Sequence, residues 1–581
     1  MGGPHDPLLQ TLTGELPFVI LASALLALPL SFFLLWLYRR AVRRSMRSRS
    51  GVIVPVVPPA RASSPPPHNI ELSFDGSSLS APLPLATQSV IRQIERGPWQ
   101  AAAVYAAAGA GYALVMAIGW LAATHDAFKP LKFLWLFWSY VWPAVLTVNL
   151  VAGSTRRGKA CVLLAYFAVL AVLGAIVLMT SPKLTLGQLI FGFWLVINGP
   201  PTVLLFTFLL RRIRAVGPMV ITFVVVGVLG AEVAVDVARR SNRILRLAAD
   251  VAVHLRLSGT AMFWVLLMMG FAVFGLVGWP LLRWVRWRYE HKRISDQSLA
   301  CDSICFLFGI FQSIYVAFEG WWWIFTGLAG FVVYKCIANA GFFWLARGRK
   351  APAPKLLLLR VFSLGRRSEK LFSTLGKHWL RAGSIRMIAG PDLATSTVEP
   401  HEFLDFVSGK LARRFIDGPA TLDLRLRELD TRPDWDGRFR VTDFFCYADT
   451  WKMVLARLIG ESDAVLMDLR GFTHRNAGCS YEIEELLSVA PLERVVIVVD
   501  RTTDMAFLEE VVKTGWSTLR TNSPNRERES RRLKLLRFAG SSSQDLQQLL
   551  QRLCLAVEGA DTLENDKGQP QADRGALSAG A

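Results

Sequence analysis

Apolar runs of about 20 residues, the length that a helix needs to cross the hydrocarbon core of a membrane, recur along this chain. They lie within the first 350 of 581 residues, at 16–38, 101–122, 131–152, 160–180, 189–210, 219–238 and 261–285. The longer run 303–346 predicts two further spans that separate near Glu319 and Gly320. The chain is 52% hydrophobic and 19% charged, which excludes a purely soluble protein and wholesale disorder. The sequence therefore predicts a multi-pass α-helical membrane bundle of about nine spans.

The positive charge of the chain is concentrated in this hydrophobic part. Residues 1–350 hold 32 Lys and Arg against 13 Asp and Glu, whereas residues 351–581 hold 33 against 32. Basic clusters between apolar runs are typical of cytoplasmic loops of membrane proteins. A nucleic-acid surface would instead need basic residues gathered on one folded face. We therefore expect the lipid bilayer as a partner and no nucleic acid.

The arginine clusters also predict an orientation. Residues 1–15 carry no Lys or Arg, whereas six arginines follow the first run between residues 39 and 49. This places the N-terminus outside and the chain after residue 350 in the cytoplasm. One loop, 239–256, disagrees, because its five arginines fall outside. Several of them recur at helical spacing, which predicts an amphipathic helix lying in the membrane interface.

The chain consists of segments that differ in amino-acid composition. We expect an N-terminal transmembrane anchor at 1–38, a Pro/Ser-rich cytoplasmic linker at 39–100, the multi-span bundle at 101–350, an α/β domain at 351–558 and a disordered tail at 559–581.

Two polar features interrupt the apolar runs. Asn198 precedes Gly199-Pro200-Pro201 near the middle of the fifth span, and the two prolines predict a kink. Lys335 lies deep in the last span, and an intramembrane lysine is a functional-site candidate. Broken helices and buried charges line transporter sites. A transporter or channel with a regulatory cytoplasmic domain is therefore the alternative function, although the bundle has no symmetric halves.

The cytoplasmic part alternates short apolar strands with amphipathic helices. Strands are predicted at 356–362, 384–389, 438–445, 463–469, 494–500 and 534–539, with helices between them. This alternation predicts a doubly wound, parallel-sheet, flavodoxin-like α/β domain. Ligands of such domains bind at the carboxyl ends of the strands. Arg366, Asp468 and Arg470 fall there, and no pair of cysteines or histidines suggests a metal site.

The segment 462–487 resembles the core of a TIR domain. A Ser-Asp lead-in and a buried strand precede Cys479-Ser480-Tyr481-Glu482, which keeps the Cys-x-x-Glu of that family, with Gly478 in place of its tryptophan. The whole arrangement resembles bacterial multi-pass membrane proteins that carry a TIR-like cytoplasmic domain, and this resemblance implies a location in the inner (plasma) membrane of a bacterium. Residues 391–446 add a helix and a strand that a plain TIR domain lacks.

The resemblance implies that Glu482 is the catalytic residue of NAD cleavage, in which a carboxylate stabilises the positive charge that develops on the ribose. Arg366 or Arg470 would hold the diphosphate, and Asp468 and Cys479 would line the same nucleotide site. NAD is the candidate substrate, and no cofactor follows from the sequence. The alternative is a signalling or defence-related interaction domain, acting by self-association or with a cytoplasmic protein. Glu482 would then be one of several surface acids at a helix N-terminus.

Overall fold

The computed structural model of the chain describes residues 7–47, 69–74, 84–125, 128–152, 156–180, 185–208, 217–317, 319–347, 353–361, 366–389, 400–526, 532–538 and 543–568. The predicted tail after residue 568 and about half of the predicted linker (48–68 and 75–83) lie outside these ranges.

Twelve helices make up the N-terminal bundle in the described residues. They are α1 (Pro7–Arg47), α2 (Leu85–Ala123), α3 (Pro130–Tyr140), α4 (Trp142–Val151), α5 (Arg156–Thr180), α6 (Leu186–Leu189), α7 (Val196–Phe208), α8 (Gly217–Arg240), α9 (Asn242–His254), α10 (Gly259–Glu290), α11 (Asp296–Ala317) and α12 (Thr326–Ala346). A π-helical turn joins α6 to α7, and a 3₁₀ turn precedes α12.

Seven helical segments of the described chain are long and apolar enough to cross a membrane: Thr87–Ala123, Pro130–Val151, Arg157–Thr180, Leu186–Phe206, Gly259–Glu290, Asp296–Ala317 and Trp322–Ala346. They correspond to seven of the nine predicted spans. The break expected near Glu319 and Gly320 lies between the last two of them. The other two predicted spans fall within α1 and α8, which are helical but are not among the seven.

The predicted amphipathic helix at 239–256 corresponds to α9. Its N-terminus is capped by Ser241, whose hydroxyl accepts a hydrogen bond from the Ile244 amide at 3.4 Å. Apolar side chains such as Leu247 and Val253 are 66% and 78% exposed. An apolar surface of this kind on a short charged helix is typical of helices that lie in the membrane interface.

The C-terminal part forms an eight-stranded sheet in which every pair of neighbouring strands is parallel. Its strands are β1 (Glu71–Phe74), β2 (Lys355–Arg360), β3 (Ser384–Ala389), β4 (Phe415–Ile416), β5 (Val441–Cys446), β6 (Ala464–Asp468), β7 (Val495–Val499) and β8 (Arg532–Arg537), in the order β1-β8-β7-β6-β2-β3-β5-β4. The helices are α13 (Arg366–Trp379), α14 (Pro400–Val407), α15 (Pro419–Arg427), α16 (Trp451–Gly460), α17 (Ala477–Val489), α18 (Met505–Ser517) and α19 (Ser543–Gly568). The parallel α/β fold class is confirmed.

Both faces of the sheet are covered, which explains why its strands are continuous apolar runs. On β2, Leu357 and Leu359 pack with α16, α17 and α18, whereas Leu356 and Leu358 pack with α13 and α19. The first turns of α2 add Ile94 to the second layer. The α/β domain therefore has two hydrophobic cores, one on each face of its sheet.

Two pieces of the predicted linker belong to this domain. Residues 71–74 form β1, which pairs with β8 from Glu71 opposite Arg532 to Phe74 opposite Leu535. Residues 85–100 form the start of α2, where Gln93 donates a hydrogen bond to the Arg381 carbonyl at 2.8 Å. A four-residue strand has little local signal of its own, and β1 is ordered by the open edge of β8. The sheet thus contains strands from before and after the bundle.

The segment between β3 and β5 docks on the bundle. The Trp435 ring lies edge-on to Phe342 of α12 at 4.8 Å, and its indole N–H donates to the Ser298 hydroxyl at 3.3 Å. Arg440 donates to the carbonyls of Tyr289 and Ile294 at 2.6 and 3.0 Å. These contacts join the α/β domain to the C-terminal end of α10 and the N-terminal end of α11.

Candidate functional site

The candidate site lies at the carboxyl edge of the sheet between β2 and β6. The chain runs from β2 to β3 on one side and later reaches β6 on the other side of β2. Arg360 and Asp468, the last residues of the two strands, are register partners. In open α/β sheets a crevice forms where the strand order reverses in this way, and ligands bind there.

Asp468 and Arg470 bind each other at this edge. Arg470 donates from Nε to Oδ1 of Asp468 at 2.8 Å and from Nη2 to Oδ2 at 2.7 Å. Asp468 is fully buried and Arg470 is 6% exposed. A bidentate pair in such an environment is strong. In this structure the Arg470 guanidinium therefore neutralises its own neighbour and is not open to a diphosphate.

Cys479 and Arg366 occupy different positions relative to this pair. Cys479 is buried at the start of α17, and its thiol lies 3.7 Å from the Arg360 carbonyl oxygen. This contact packs the first turn of α17 onto the end of β2. Arg366 begins α13, but its side chain lies outside the part of the chain that the structure describes.

Glu482 is buried within α17, with one carboxyl oxygen that is not hydrogen-bonded in the described part of the chain. It is 2% exposed, and its Oε2 atom has no hydrogen-bond partner in the described structure. Burial raises the pKa of this carboxyl to about 8, although the positive charge of Arg360 opposes the shift. Glu482 is therefore not a surface acid at a helix terminus, and it carries the perturbed pKa that is common at functional sites.

The neighbouring acids of α17 have different environments. Glu485 is 3% exposed and forms an ion pair with Arg520. Glu484, which lies between Glu482 and Glu485 in the sequence, is partly exposed. Of these three glutamates, Glu482 alone combines burial with the absence of an ion-pair partner within the described residues. Spacing on the helix could not have separated Glu482 from Glu485, because Arg520 is distant in sequence.

Arg360 is the site residue that the sequence analysis missed. It ends β2, is 6% exposed, and its guanidinium carbon lies 5.4 Å from the ring centre of Phe372 on α13. Its charge acts on both Glu482 and Asp443. Burial and the nearby Glu402 hold the pKa of Asp443 well above its usual range, and Arg360 and Arg414 oppose this. An arginine directly after four leucines in a buried strand was the available signal.

Two acidic groups of α14 touch the bundle, and one of them, Glu402, acts on the same Asp443 as Arg360 does. Glu402 of α14 accepts a hydrogen bond from the Tyr38 hydroxyl of α1 at 3.3 Å. Asp405, one turn later, pairs with Arg414 at 2.5 Å and with Arg286 of α10 at 2.5 Å. The edge that holds the candidate site is therefore connected to two membrane-bundle helices.

The two intramembrane candidates lie in the bundle and are both bonded to protein atoms. Lys335 pairs with Asp302 of α11 at 2.7 Å, and its ammonium lies 4.9 Å from the ring centre of Trp435. Asn198 is fully buried; it donates to the Ser139 carbonyl at 3.1 Å and accepts from Gln312 at 2.9 Å. These contacts account for both residues as packing elements, and they do not favour a transport path.

Metal binding has no basis in the described residues, where no three His, Cys, Asp or Glu side chains cluster as ligands. Comparisons of the chain with protein-family models, with curated proteins and with solved structures find no match. Function must therefore be argued from the site itself.

Proposed function

We propose that the chain is a bacterial inner-membrane protein whose bundle tethers a TIR-like domain in the cytoplasm, and that this domain cleaves NAD through Glu482. The observation that carries the proposal is a buried carboxyl with one unbonded oxygen, next to the Arg360 charge, at the point where the strand order reverses. It falls on the glutamate that the Cys-x-x-Glu resemblance selects.

The number of membrane crossings between β1 and β2 supports the proposed attachment of the α/β domain to a membrane bundle. The strands β1 and β2 belong to one sheet, so both must lie on the same side of the membrane. The seven candidate spans all lie between these two strands, and an odd number would put β1 and β2 on opposite sides. We infer an eighth crossing between them, and a ninth for α1.

The eighth crossing is best assigned to α8. This helix packs antiparallel against α10, which is itself a candidate span: Phe223 of α8 meets Gly278, and Gly230 meets Gly270. A Cβ added to Gly270 would lie 2.6 Å from the Gly230 carbonyl oxygen, so the two backbones are in close contact. Small residues that permit such an approach are typical of helix pairs within membranes.

The helix ends that touch the α/β domain fit this nine-crossing order. Contacts come from the C-terminal parts of α1, α10 and α12 and from the N-terminal parts of α2 and α11. Each of these ends lies on the same side when crossings alternate from an external N-terminus. The arginine cluster at 39–49 and the one around Arg286 then lie on that side, which the positive-inside rule assigns to the cytoplasm.

Cleavage of NAD requires one carboxylate next to the ribose. The bond between the ribose C1′ and the nicotinamide nitrogen breaks, and nicotinamide leaves as a neutral molecule, so little acid assistance is needed. The sugar becomes positively charged in the transition state, and water adds to C1′ and loses a proton, giving ADP-ribose. With a pKa of about 8, Glu482 is mostly protonated at pH 7 in this structure. The cationic nicotinamide ring would favour its ionised form when NAD binds. Burial of Glu482 also means that the edge must open before substrate enters, so we expect low basal turnover.

The test is nicotinamide release from NAD by the full-length protein in lipid nanodiscs, dilute and clustered on a multivalent support. We expect slow release that increases on clustering and is abolished by Glu482→Gln. The matched control is Glu484→Gln, on the same helix but partly exposed; it should retain turnover.

Two results would count against the proposal. Full turnover in the Glu482 variant would remove this residue from the chemistry. No release by any clustered form of the folded protein would favour the interaction-domain function, with NAD cleavage excluded.

A further inference from the structure

Two arginines near the C-terminal end of α10 and one just after the helix each stack on a tryptophan ring of α10. The guanidinium carbon lies 5.7 Å from the ring centre in the pair Arg283–Trp279, 4.9 Å in Arg288–Trp284 and 5.2 Å in Arg293–Trp287. We refer to these six residues as the Arg–Trp cluster. Cation–π contacts of this kind hold a guanidinium group in place without neutralising its charge.

Two of the three arginines of the cluster, Arg283 and Arg293, have no acidic partner in the part of the chain that the structure describes, whereas Arg288 is partly buried and its charge acts on Asp302. Among the described residues, no carboxylate forms an ion pair with Arg283 or Arg293, and both are exposed. Arg286, on the same helix, is different: it pairs with Glu290 at 2.7 Å and with Asp405 of the α/β domain at 2.5 Å. Arg286 thus binds the α/β domain, whereas Arg283 and Arg293 are exposed.

The position of the cluster along α10 corresponds to a membrane boundary. Earlier in the helix, aliphatic side chains such as Met268 and Leu276 are 60% and 73% exposed, as expected of a lipid-facing surface. From Trp279 onward most of the exposed residues are tryptophan or arginine, and Pro280, Glu290 and His291 are exposed beside them. Tryptophan is enriched at the level of the lipid headgroups, and arginine there extends its charge into the polar layer.

A second helix brings the same pattern to the same level. On α1, Arg40 stacks on Trp36 at 5.4 Å, and Trp36 is 50% exposed. Both helices contact α14, since Tyr38 binds Glu402 and Arg286 binds Asp405 one turn further on. The ends of α1 and α10 are therefore neighbours on the membrane face that carries the α/β domain.

We propose that the Arg–Trp cluster binds the phosphate of anionic phospholipids on that face of the membrane. Stacking holds the exposed guanidinium groups of Arg283 and Arg293 in place, and their N–H groups remain available to bind phosphate oxygens in bidentate fashion. The tryptophan rings supply the apolar and interfacial contact that a lipid headgroup needs and that a soluble anion does not.

The experiment is native mass spectrometry of the full-length protein, released from nanodiscs that contain phosphatidylcholine with increasing phosphatidylglycerol. We expect the wild-type protein to retain phosphatidylglycerol in preference to phosphatidylcholine. A basic residue at a membrane surface contributes about fivefold to the binding of anionic lipid, equal to about 1 kcal/mol. The double variant Arg283→Gln/Arg293→Gln should therefore bind phosphatidylglycerol roughly 25-fold more weakly.

The control is Arg475→Gln/Arg501→Gln, which removes the same charge from exposed positions after β6 and β7 of the α/β domain. It should leave lipid retention unchanged. Equal loss in both double variants, or no loss in the first, would overturn the proposal. Displacement of phosphatidylglycerol by millimolar glycerol phosphate would also overturn it, because the cluster would then be a site for soluble anions.

Discussion

Replacement of Glu482 by glutamine should change the pH dependence of stability in a way that its neighbours do not. Burial raises the pKa of Glu482 from 4.5 to about 8. Because the folded state holds the proton more tightly than the unfolded state, the associated stability is fully present below pH 4.5. It is lost progressively as the pH rises to 8. Each pH unit in that window costs the wild-type protein about 1.4 kcal/mol, so the total is about 5 kcal/mol.

Glutamine has nearly the same shape as glutamate and no charge, so the stability of the variant should not decrease in this way as the pH rises. We expect the two proteins to have similar thermal midpoints at pH 5 and the variant to be the more stable one at pH 8. A stability change of 1 kcal/mol shifts the midpoint of a domain of this size by about 2–4 °C, so the separation should exceed about 10 °C. The assay is thermal unfolding of the full-length protein in detergent micelles between pH 5 and 8.5.

Glu485→Gln is the contrasting variant, because it removes the partner of the largely buried Arg520. It should lower stability by about 3 kcal/mol, and by a similar amount throughout this pH range. If the difference between wild-type protein and Glu482→Gln were the same at pH 5 and at pH 8, Glu482 would be an ordinary ionised carboxylate and the reasoning on the candidate site would fail.

Three further predictions follow from the site and the bundle. If ionised Glu482 is the catalytic form, nicotinamide release should rise up to tenfold per pH unit from pH 6 and level off near pH 8; initial rates that fall over this range would contradict it. Lys335→Leu should lower the free energy of unfolding by about 3–5 kcal/mol, measured by thermal unfolding, because it leaves Asp302 buried without the cation that pairs with it. Asp302→Leu in the same chain should recover most of this loss. Lys129→Leu, at an exposed position, should have no effect. Cysteines placed at Thr124 and Leu257 should react with an impermeant maleimide added outside the cell and one at Thr155 should not; the reverse pattern would exclude the nine-crossing order.

Much of the fold could be predicted because its signals are local. An apolar run of span length indicates a membrane helix wherever it occurs, and β3 coincides with the predicted strand 384–389. The break near Gly320 could be predicted as well. In the structure Gly320 adopts a φ of 158°, which other residues rarely take. The alternation of strands and helices was enough for the parallel α/β class, because a parallel sheet needs a covering helix between successive strands.

What the tertiary structure alone decided is which residues meet. From the sequence, Glu482, Arg470 and Lys335 could be identified as charged residues in unusual places. The sequence did not indicate that Arg470 binds Asp468 or that Lys335 lies between Asp302 and Trp435. The short strand β1 likewise has no signal apart from the sheet edge that it completes. The physical reason is that local structure depends on neighbours along the chain, whereas charge neutralisation and burial depend on distances in space that folding alone sets.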